Sequence, residues 1–138
     1  MKVLFDTNIV LDVLLKRMPH VLASAPAMAH VETSAITGVI CAHTVTTVFY
    51  FLEKSLGKAE ARNHIAQLLA IFDVAAVNRA VLTAALALDF GDYEDAVVHE
   101  AAVAVDADAI VTRNGTDFVS SIVPIFTPGE LLAAVAVL

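Results

Sequence analysis

Cysteine is almost absent from this chain, which contains Cys41 and no other cysteine among its 138 residues. A lone cysteine excludes an internal disulfide framework and any zinc site built from cysteines. Cys41 lies in the apolar stretch VICA, so we interpret it as a small buried hydrophobic residue. Other side chains must therefore carry the chemistry of this protein.

Long hydrophobic runs are also missing, although 59% of the residues are hydrophobic. No apolar stretch reaches the roughly 18 residues that a membrane-spanning helix needs, and the chain begins with a strand-like segment rather than a signal peptide. We therefore expect a cytoplasmic globular protein with no membrane partner, folded as one domain over residues 1–138. The excess of alanine and valine predicts that a partner covers part of the apolar surface.

Basic residues are few. Eight lysines and arginines stand against fifteen aspartates and glutamates, which gives a formal net charge of −7. Such a surface ordinarily repels nucleic acid. Either the acids simply keep the protein in solution, or several of them converge on one place and need a metal ion. Their positions along the chain must decide between these interpretations.

Short apolar segments alternate with helical patterns along the chain. Strands are predicted at residues 2–5, 38–41, 72–77, 108–112 and 123–126. Helices are predicted after Asp6, with Thr7 or Asn8 as the cap, and then at about 19–31, 44–56, 58–70 and 79–88, after Gly91, and from Pro128 onward. This alternation predicts an α/β fold with three layers, α/β/α, around a mainly parallel five-stranded sheet.

Acidic residues fall at the ends of these segments. Asp6 ends the first strand, Asp117 lies in the loop RNGTDF after the fourth, and Glu94 and Asp95 open the helix before it. Ligands bind outside the carboxyl ends of parallel strands, so we expect these acids to form one metal-sized cluster there. Carboxylates about 4 Å apart repel by roughly 4 kcal/mol at an effective dielectric of 20. A hard cation, Mg²⁺ or Mn²⁺, would compensate them.

Each acid also has a simpler interpretation. Asp6 and Asp95 could cap helices, and Asp117 could be an ordinary loop residue. Asp12 stands four residues before Lys16 and is predicted to form a surface ion pair with it. None of the five histidines is assigned to a metal, because their spacing is unpaired. The remaining acids that we interpret as ordinary turn residues are Asp89, Asp92, Asp106 and Asp108.

Three motifs, taken in order, resemble the PIN domain family of metal-dependent ribonucleases, which includes the VapC-type toxins of bacterial toxin–antitoxin pairs. The segment VLFDTNIVLDVLL resembles the family's opening signature, DYEDAVVHEAA resembles the helix with its central acid, and IVTRNGTDF resembles the loop after the fourth strand. The resemblance covers essentially the whole chain. It implies that Asp6, Asp95 and Asp117 hold Mg²⁺ or Mn²⁺.

One position departs from the family pattern. Most active members carry a glutamate on the helix after the second strand, where this chain has Thr47, and Glu53 lies nearly two turns further along. A subgroup that lacks this acid has a second acid beside the central one, as Glu94 stands beside Asp95. A single-metal site is therefore expected rather than a complete two-metal site.

The chemistry of such a site predicts hydrolysis of RNA phosphodiester bonds, because a metal neutralises the phosphate and activates a water. The catalytic residues are predicted to be Asp6, Asp95 and Asp117, with Glu94 as a base or a holder of water. Residues predicted to position water or phosphate are Asn8, Thr112, Arg113 and Asn114, with Lys16 and Arg17 as further phosphate contacts.

Two alternatives to the ribonuclease remain open. One is a catalytically degenerate PIN domain that binds RNA or a protein. The other is a phosphotransferase with an aspartate nucleophile, which commonly needs a second aspartate where Asn8 stands and a lysine further along than Lys58, the last in this chain. The resemblance also implies a cognate antitoxin and a homodimer, for which we expect an interface of helical segments before the third strand.

Overall fold

The computed structural model describes residues 1–138, and its centre is one sheet of five strands. The strands are β1 (Lys2–Phe5), β2 (Thr37–Cys41), β3 (Asp73–Ala75), β4 (Ala109–Val111) and β5 (Ile125–Phe126). They lie in the order β3-β2-β1-β4-β5, and every neighbouring pair is parallel. The expected five-stranded sheet is confirmed, and it is entirely rather than mainly parallel.

Seven helices connect or follow the strands, and all seven were predicted from the sequence. They are α1 (Thr7–Leu14), α2 (Val21–Glu32), α3 (Ala42–Leu56), α4 (Lys58–Ile71), α5 (Arg79–Leu86), α6 (Tyr93–Ala104) and α7 (Pro128–Val135). A short 3₁₀ turn covers Gly115–Phe118. None of the helices has the length and apolar character needed to cross a membrane.

The helices form two layers because the side chains of the strands alternate between the two faces of the sheet. Val3 and Phe5 of β1 face the layer that contains α1, α2, α3, α4 and α7, whereas Leu4 faces α5 and α6. Both faces are apolar, as a parallel sheet covered on both sides requires. The three-layer α/β/α architecture expected from the sequence is therefore confirmed.

Cys41 packs in the layer between the sheet and α6 and is fully buried. Burial, together with the nearby charges of Asp6 and Glu94, raises the pKa of its thiol to about 12. A thiol with such a pKa stays protonated at neutral pH, which disfavours the thiolate needed by a nucleophile or a metal ligand. This agrees with the interpretation of Cys41 as a small buried hydrophobic residue.

The strand order changes direction at β1, because the chain adds strands first on one side of β1 and then on the other. β2 and β3 lie on one side of β1, and β4 and β5 lie on the other. A crevice forms outside the carboxyl ends of the strands at such a switch point. The register pairs Phe5 with Val111, so the residues that follow, Asp6 and Thr112, emerge side by side at this edge.

Helix α1 ends in a tight turn that reverses the chain. The amide of Arg17 donates to the carbonyl of Asp12 at 2.9 Å, and the amide of Lys16 donates to the carbonyl of Val13 at 3.2 Å. These two bonds define a Schellman motif, which requires a left-handed residue. Lys16 occupies that position with a φ of 53°. The turn leads Arg17 back along the helix toward Asp12.

The left-handed conformation predicts the effect of glycine at Lys16. A side chain in this region costs about 1 kcal/mol, and glycine removes that cost. We expect Lys16→Gly to raise the free energy of unfolding by about 1 kcal/mol in urea titrations. The matched control is Lys54→Gly within α3, which should lower it by about the same amount. A loss of stability in both variants would contradict the argument.

Candidate active site

Asp6 follows β1 directly and is itself the cap of α1, so the prediction of Thr7 or Asn8 as the cap was wrong. Its extended backbone lets Oδ1 accept the amide N–H of Thr7 at 2.8 Å. Its Oδ2 accepts the hydroxyl of Thr112 at 2.8 Å and the side-chain amide of Asn8 at 3.3 Å. Burial nevertheless raises the pKa of Asp6, and the hydrogen bonds from Thr112 and Thr7 offset only part of this effect.

A hydrogen-bond network extends from Asp6 into the loop after β4. The Thr112 hydroxyl oxygen accepts the amide N–H of Asn114 at 3.1 Å. The side-chain oxygen of Asn8 accepts the amide N–H of Arg113 at 3.3 Å. Asn8, Thr112 and Asn114 thus lie together around Asp6, where they fix its carboxylate relative to the loop.

A cavity of about 260 Å³ opens beside this network. The four acids singled out from the sequence, Asp6, Glu94, Asp95 and Asp117, all line it. Asp92 lines it as well, although it was interpreted as an ordinary turn acid, and it caps α6 by accepting the amide N–H of Asp95 at 3.2 Å. The other lining residues are Thr7, Asn8, Leu11, Arg17 and Asn114.

These acids share a cavity without forming a preassembled metal cage. Nowhere in the structure do three acidic, histidine or cysteine side chains stand in a group that could hold a metal ion. The tight cluster expected from the sequence is therefore not preformed. Mutual repulsion of about 4 kcal/mol per close pair favours such separation of the carboxylates. The chemistry of the donors still fits Mg²⁺ or Mn²⁺, because all of them are hard oxygen ligands.

The acids affect one another electrostatically across the cavity. Partial burial, followed by the charges of Asp6, Asp92, Asp117 and Glu94, raises the pKa of Asp95 from 3.8 to about 7. Burial and neighbouring negative charges both disfavour the ionised form of a carboxyl group. A cation bound in the cavity would stabilise the ionised form of Asp95 and lower this pKa.

The predicted surface ion pair between Asp12 and Lys16 is wrong. Asp12 is completely buried, and its carboxylate accepts two hydrogen bonds from the guanidinium of Arg113. A second guanidinium, that of Arg17, lies 3.8 Å from Asp12. The i,i+4 rule assumes a continuous helix, but the left-handed turn takes Lys16 off the face that carries Asp12.

Arg113 consequently does not line the cavity in which it was expected to contact phosphate. Its guanidinium is bound to Asp12, and a buried carboxylate without this partner would be very unfavourable. The ion pair joins α1 to the loop that carries Asn114 and Asp117. Arg113 therefore supports the site by holding that loop, and the structure brings Arg17 to the cavity instead.

Two residues near the site, His43 and Thr44 in the first turn of α3, were not singled out from the sequence. His43 places Nε2 3.6 Å from Oε1 of Glu94, and the hydroxyls of Thr44 and Thr7 hydrogen-bond at 2.9 Å. His43 and Thr44 follow β2 closely, and this position after a strand was the signal that could have identified them. Thr47, one turn further on, does not line the cavity.

The acids that line this cavity all come from the three sequence motifs that resemble the PIN domain family. The sequence profile of the PIN domain family matches residues 2–116. Because this match covers most of the chain, the protein belongs to the PIN domain family. No curated protein matches the sequence.

Several solved structures share the fold over nearly their whole length. A toxin–antitoxin complex from Klebsiella pneumoniae is 23% identical, with a TM-score of 0.71 over 91% of this chain and 97% of that chain. VapBC2 from Rickettsia felis, bound to a promoter DNA fragment, is 16% identical, with a TM-score of 0.66 over 92% and 98%. VapC20 from Mycobacterium tuberculosis, a sarcin–ricin loop cleaving toxin, is 13% identical, with a TM-score of 0.64 over 96% and 94%.

The raised pKa of Asp95 predicts how stability depends on pH without metal. The folded state holds this proton up to a pH of about 7, whereas the usual value is 3.8. The free energy of unfolding should therefore fall as pH rises through this interval. Asp95→Asn removes that contribution, so the variant should exceed the parent by about 1 kcal/mol at pH 8, a value reduced for solvent screening, and by less at pH 5.

Urea unfolding in EDTA at both pH values provides the measurement. The matched control is Asp106→Asn, at an exposed position with a φ of 55°, where asparagine is well tolerated. This control should leave the pH dependence of the parent unchanged. A stability difference between Asp95→Asn and the parent that is the same at pH 5 and pH 8 would contradict the assigned titration.

Proposed function

We propose that this protein is a metal-dependent ribonuclease that hydrolyses RNA phosphodiester bonds, and that it is the toxin of a toxin–antitoxin pair. The observation that carries the proposal is the convergence of Asp6, Glu94, Asp95 and Asp117, from three separate segments, on one cavity. Membership of the PIN domain family supports it. The likeness to toxin–antitoxin complexes and to an RNA-cleaving toxin gives further support.

Asp6, Asp95 and Asp117 would hold Mg²⁺ or Mn²⁺, directly or through water. When bound, such an ion neutralises charge on the phosphate and lowers the pKa of an attacking water. Burial and then the charges of the neighbouring acids raise the pKa of Asp95, and a bound cation would offset the repulsion among these carboxylates. Ligation through water would allow the carboxylates to keep some of their separation, because Mg²⁺ usually retains several waters.

Other residues in or beside the cavity would orient the carboxylates and accept a proton from the attacking water. Glu94 is 59% exposed at its side chain, so its carboxylate is available to accept a proton from a water. Asn8 and Thr112 hold the Asp6 carboxylate in place through their hydrogen bonds. Asn114 and Asp117 are joined by a main-chain hydrogen bond of 2.9 Å, which orders this part of the loop.

Substitution of the acids tests the proposal directly. Asp6→Asn and Asp95→Asn should each lower Mg²⁺- or Mn²⁺-dependent cleavage of RNA at least about a hundredfold, because the metal contributes several kcal/mol to the transition state. EDTA should abolish cleavage by the parent. Cleavage can be followed on labelled RNA separated by electrophoresis.

Asp106→Asn is the matched control, because it removes an equal charge at an exposed position that does not line the cavity. It should cleave like the parent. Unchanged cleavage by Asp95→Asn would place the activity elsewhere or in a contaminant. RNA binding by the parent without metal-dependent cleavage would favour the degenerate PIN domain instead.

We also propose a homodimer, alongside a cognate antitoxin as protein partner. Large apolar side chains are exposed on helices before β3: Tyr50, Phe51 and Leu56 on α3 and Leu69 on α4. A two-fold interface would cover one such patch with its copy. It would also bring basic residues of both subunits toward the acidic cavities.

Sedimentation equilibrium at micromolar concentration tests this association. The parent should have twice the chain mass of 14.6 kDa. Phe51→Asp should shift it toward the monomer, because a charge would be buried at the interface. Leu86→Asp, at a 74% exposed position of α5, is the control and should leave the dimer intact. A monomeric parent at all concentrations would rule out the dimer.

A further inference from the structure

The acidic cavity contains one basic side chain. Among its lining residues, Asp6, Asp92, Glu94, Asp95 and Asp117 carry carboxylates, and Arg17 alone carries a guanidinium. An RNA strand entering the cavity would be repelled by each ionised carboxylate. Within this lining, Arg17 is therefore the side chain that can attract a phosphate without a metal ion.

The guanidinium of Arg17 lies near the Asp12 carboxylate but has no hydrogen-bond partner in the protein. Its only ion-pair partner is Asp12, and the distance of 3.8 Å between Nη1 and Oδ1 exceeds that of a hydrogen bond. Asp12 already accepts two hydrogen bonds from Arg113. The Arg17 side chain is 39% exposed, so its donors remain available to a ligand.

The charges around Asp12 leave a positive excess at Arg17. One buried carboxylate stands between two guanidinium groups, so the cluster has two positive charges and one negative charge. Arg113 makes the closer and hydrogen-bonded pair, which neutralises Asp12. The Schellman turn at Lys16 brings Arg17 to this place, and the long contact to Asp12 restrains it without consuming its donors.

We propose that Arg17 binds a phosphate of the RNA strand beside the acidic cluster, and that Asp12 and Arg113 are the supports that hold it there. This inference rests on the proposed ribonuclease function and identifies a residue that binds the substrate. A planar guanidinium offers two parallel donors to one phosphate, which is the geometry that favours arginine over lysine. Of the three basic residues considered from the sequence, this assigns the role to Arg17 rather than to Arg113 or Lys16.

Binding of a fluorescently labelled oligoribonucleotide tests the proposal. The affinity is measured with Asp95→Asn protein in Mg²⁺, in which cleavage is suppressed, over a range of salt concentrations. Adding Arg17→Gln should weaken binding about tenfold, the loss expected for a charged hydrogen bond. It should also reduce the slope of log K against log salt by about 0.7, the value for one phosphate of a single strand.

Two further variants separate a phosphate contact from a general effect of charge. Arg17→Lys should keep the salt slope of the parent but recover only part of the affinity, because lysine lacks the planar fork. Arg62→Gln removes an equal charge from an exposed position of α4 away from the cavity. It should leave both the affinity and the slope close to those of the parent.

Kinetics in the chain that retains Asp95 provides a second measurement. Arg17→Gln should raise KM about tenfold and change kcat little, because the contact is made before and during the reaction alike. Equal affinity, slope and KM in Arg17→Gln and Arg62→Gln would overturn the role of Arg17 while leaving the ribonuclease intact. A parent that neither binds nor cleaves RNA would overturn the proposed function, and this inference with it.

Discussion

The parallel pairing of β1 with β4 at the centre of the sheet determines where everything else at the site can lie. Because Phe5 is aligned with Val111, Asp6 and Thr112 leave the sheet as neighbours, and the threonine hydroxyl donates to the aspartate. Asp6 then caps α1, which fixes the direction in which that helix starts. One carboxylate thus connects a strand, a helix and a loop more than a hundred residues away along the chain.

A second buried carboxylate extends this connection. Asp12 lies in the second turn of α1 and binds Arg113 in the loop after β4, one residue beyond Thr112. Separating a buried pair by removal of one partner typically costs about 3–5 kcal/mol. The wall of the cavity made by α1 and the wall made by the loop are therefore held together by charge as well as by packing. Arg17 stays near the same carboxylate and also lines the cavity.

Much of this could be inferred from the sequence because it depends on patterns of short range. Alternating apolar segments gave the strands and helices, and a parallel sheet places residues such as Asp6 and Asp117 at one edge. The environment of Asp12 could not be inferred in this way. Its helical spacing to Lys16 is ordinary, and only the left-handed turn and the distant Arg113 make it a buried partner.

The distances between the carboxylates also could not be inferred from the sequence. Motif spacing indicates which residues meet at an edge, but the positions of side-chain tips follow from the balance of repulsion, burial and hydrogen bonds. Asp95 and Asp92 illustrate this, since one carries a strongly raised pKa while the other is engaged in capping α6. The ion pair of Arg113 was beyond sequence reasoning for the same reason, because a buried acid far away in the chain binds its guanidinium.

The residues that line the cavity come from two short segments of the chain. Every lining residue comes from residues 6–17 or 92–117, and none comes from the long stretch between them. That stretch includes α2, α3, α4 and α5, and it carries most of the large apolar side chains that the protein exposes. Substitutions on those outward faces would leave every acid of the cavity in place, so the outer surface and the acidic cavity can change independently of each other.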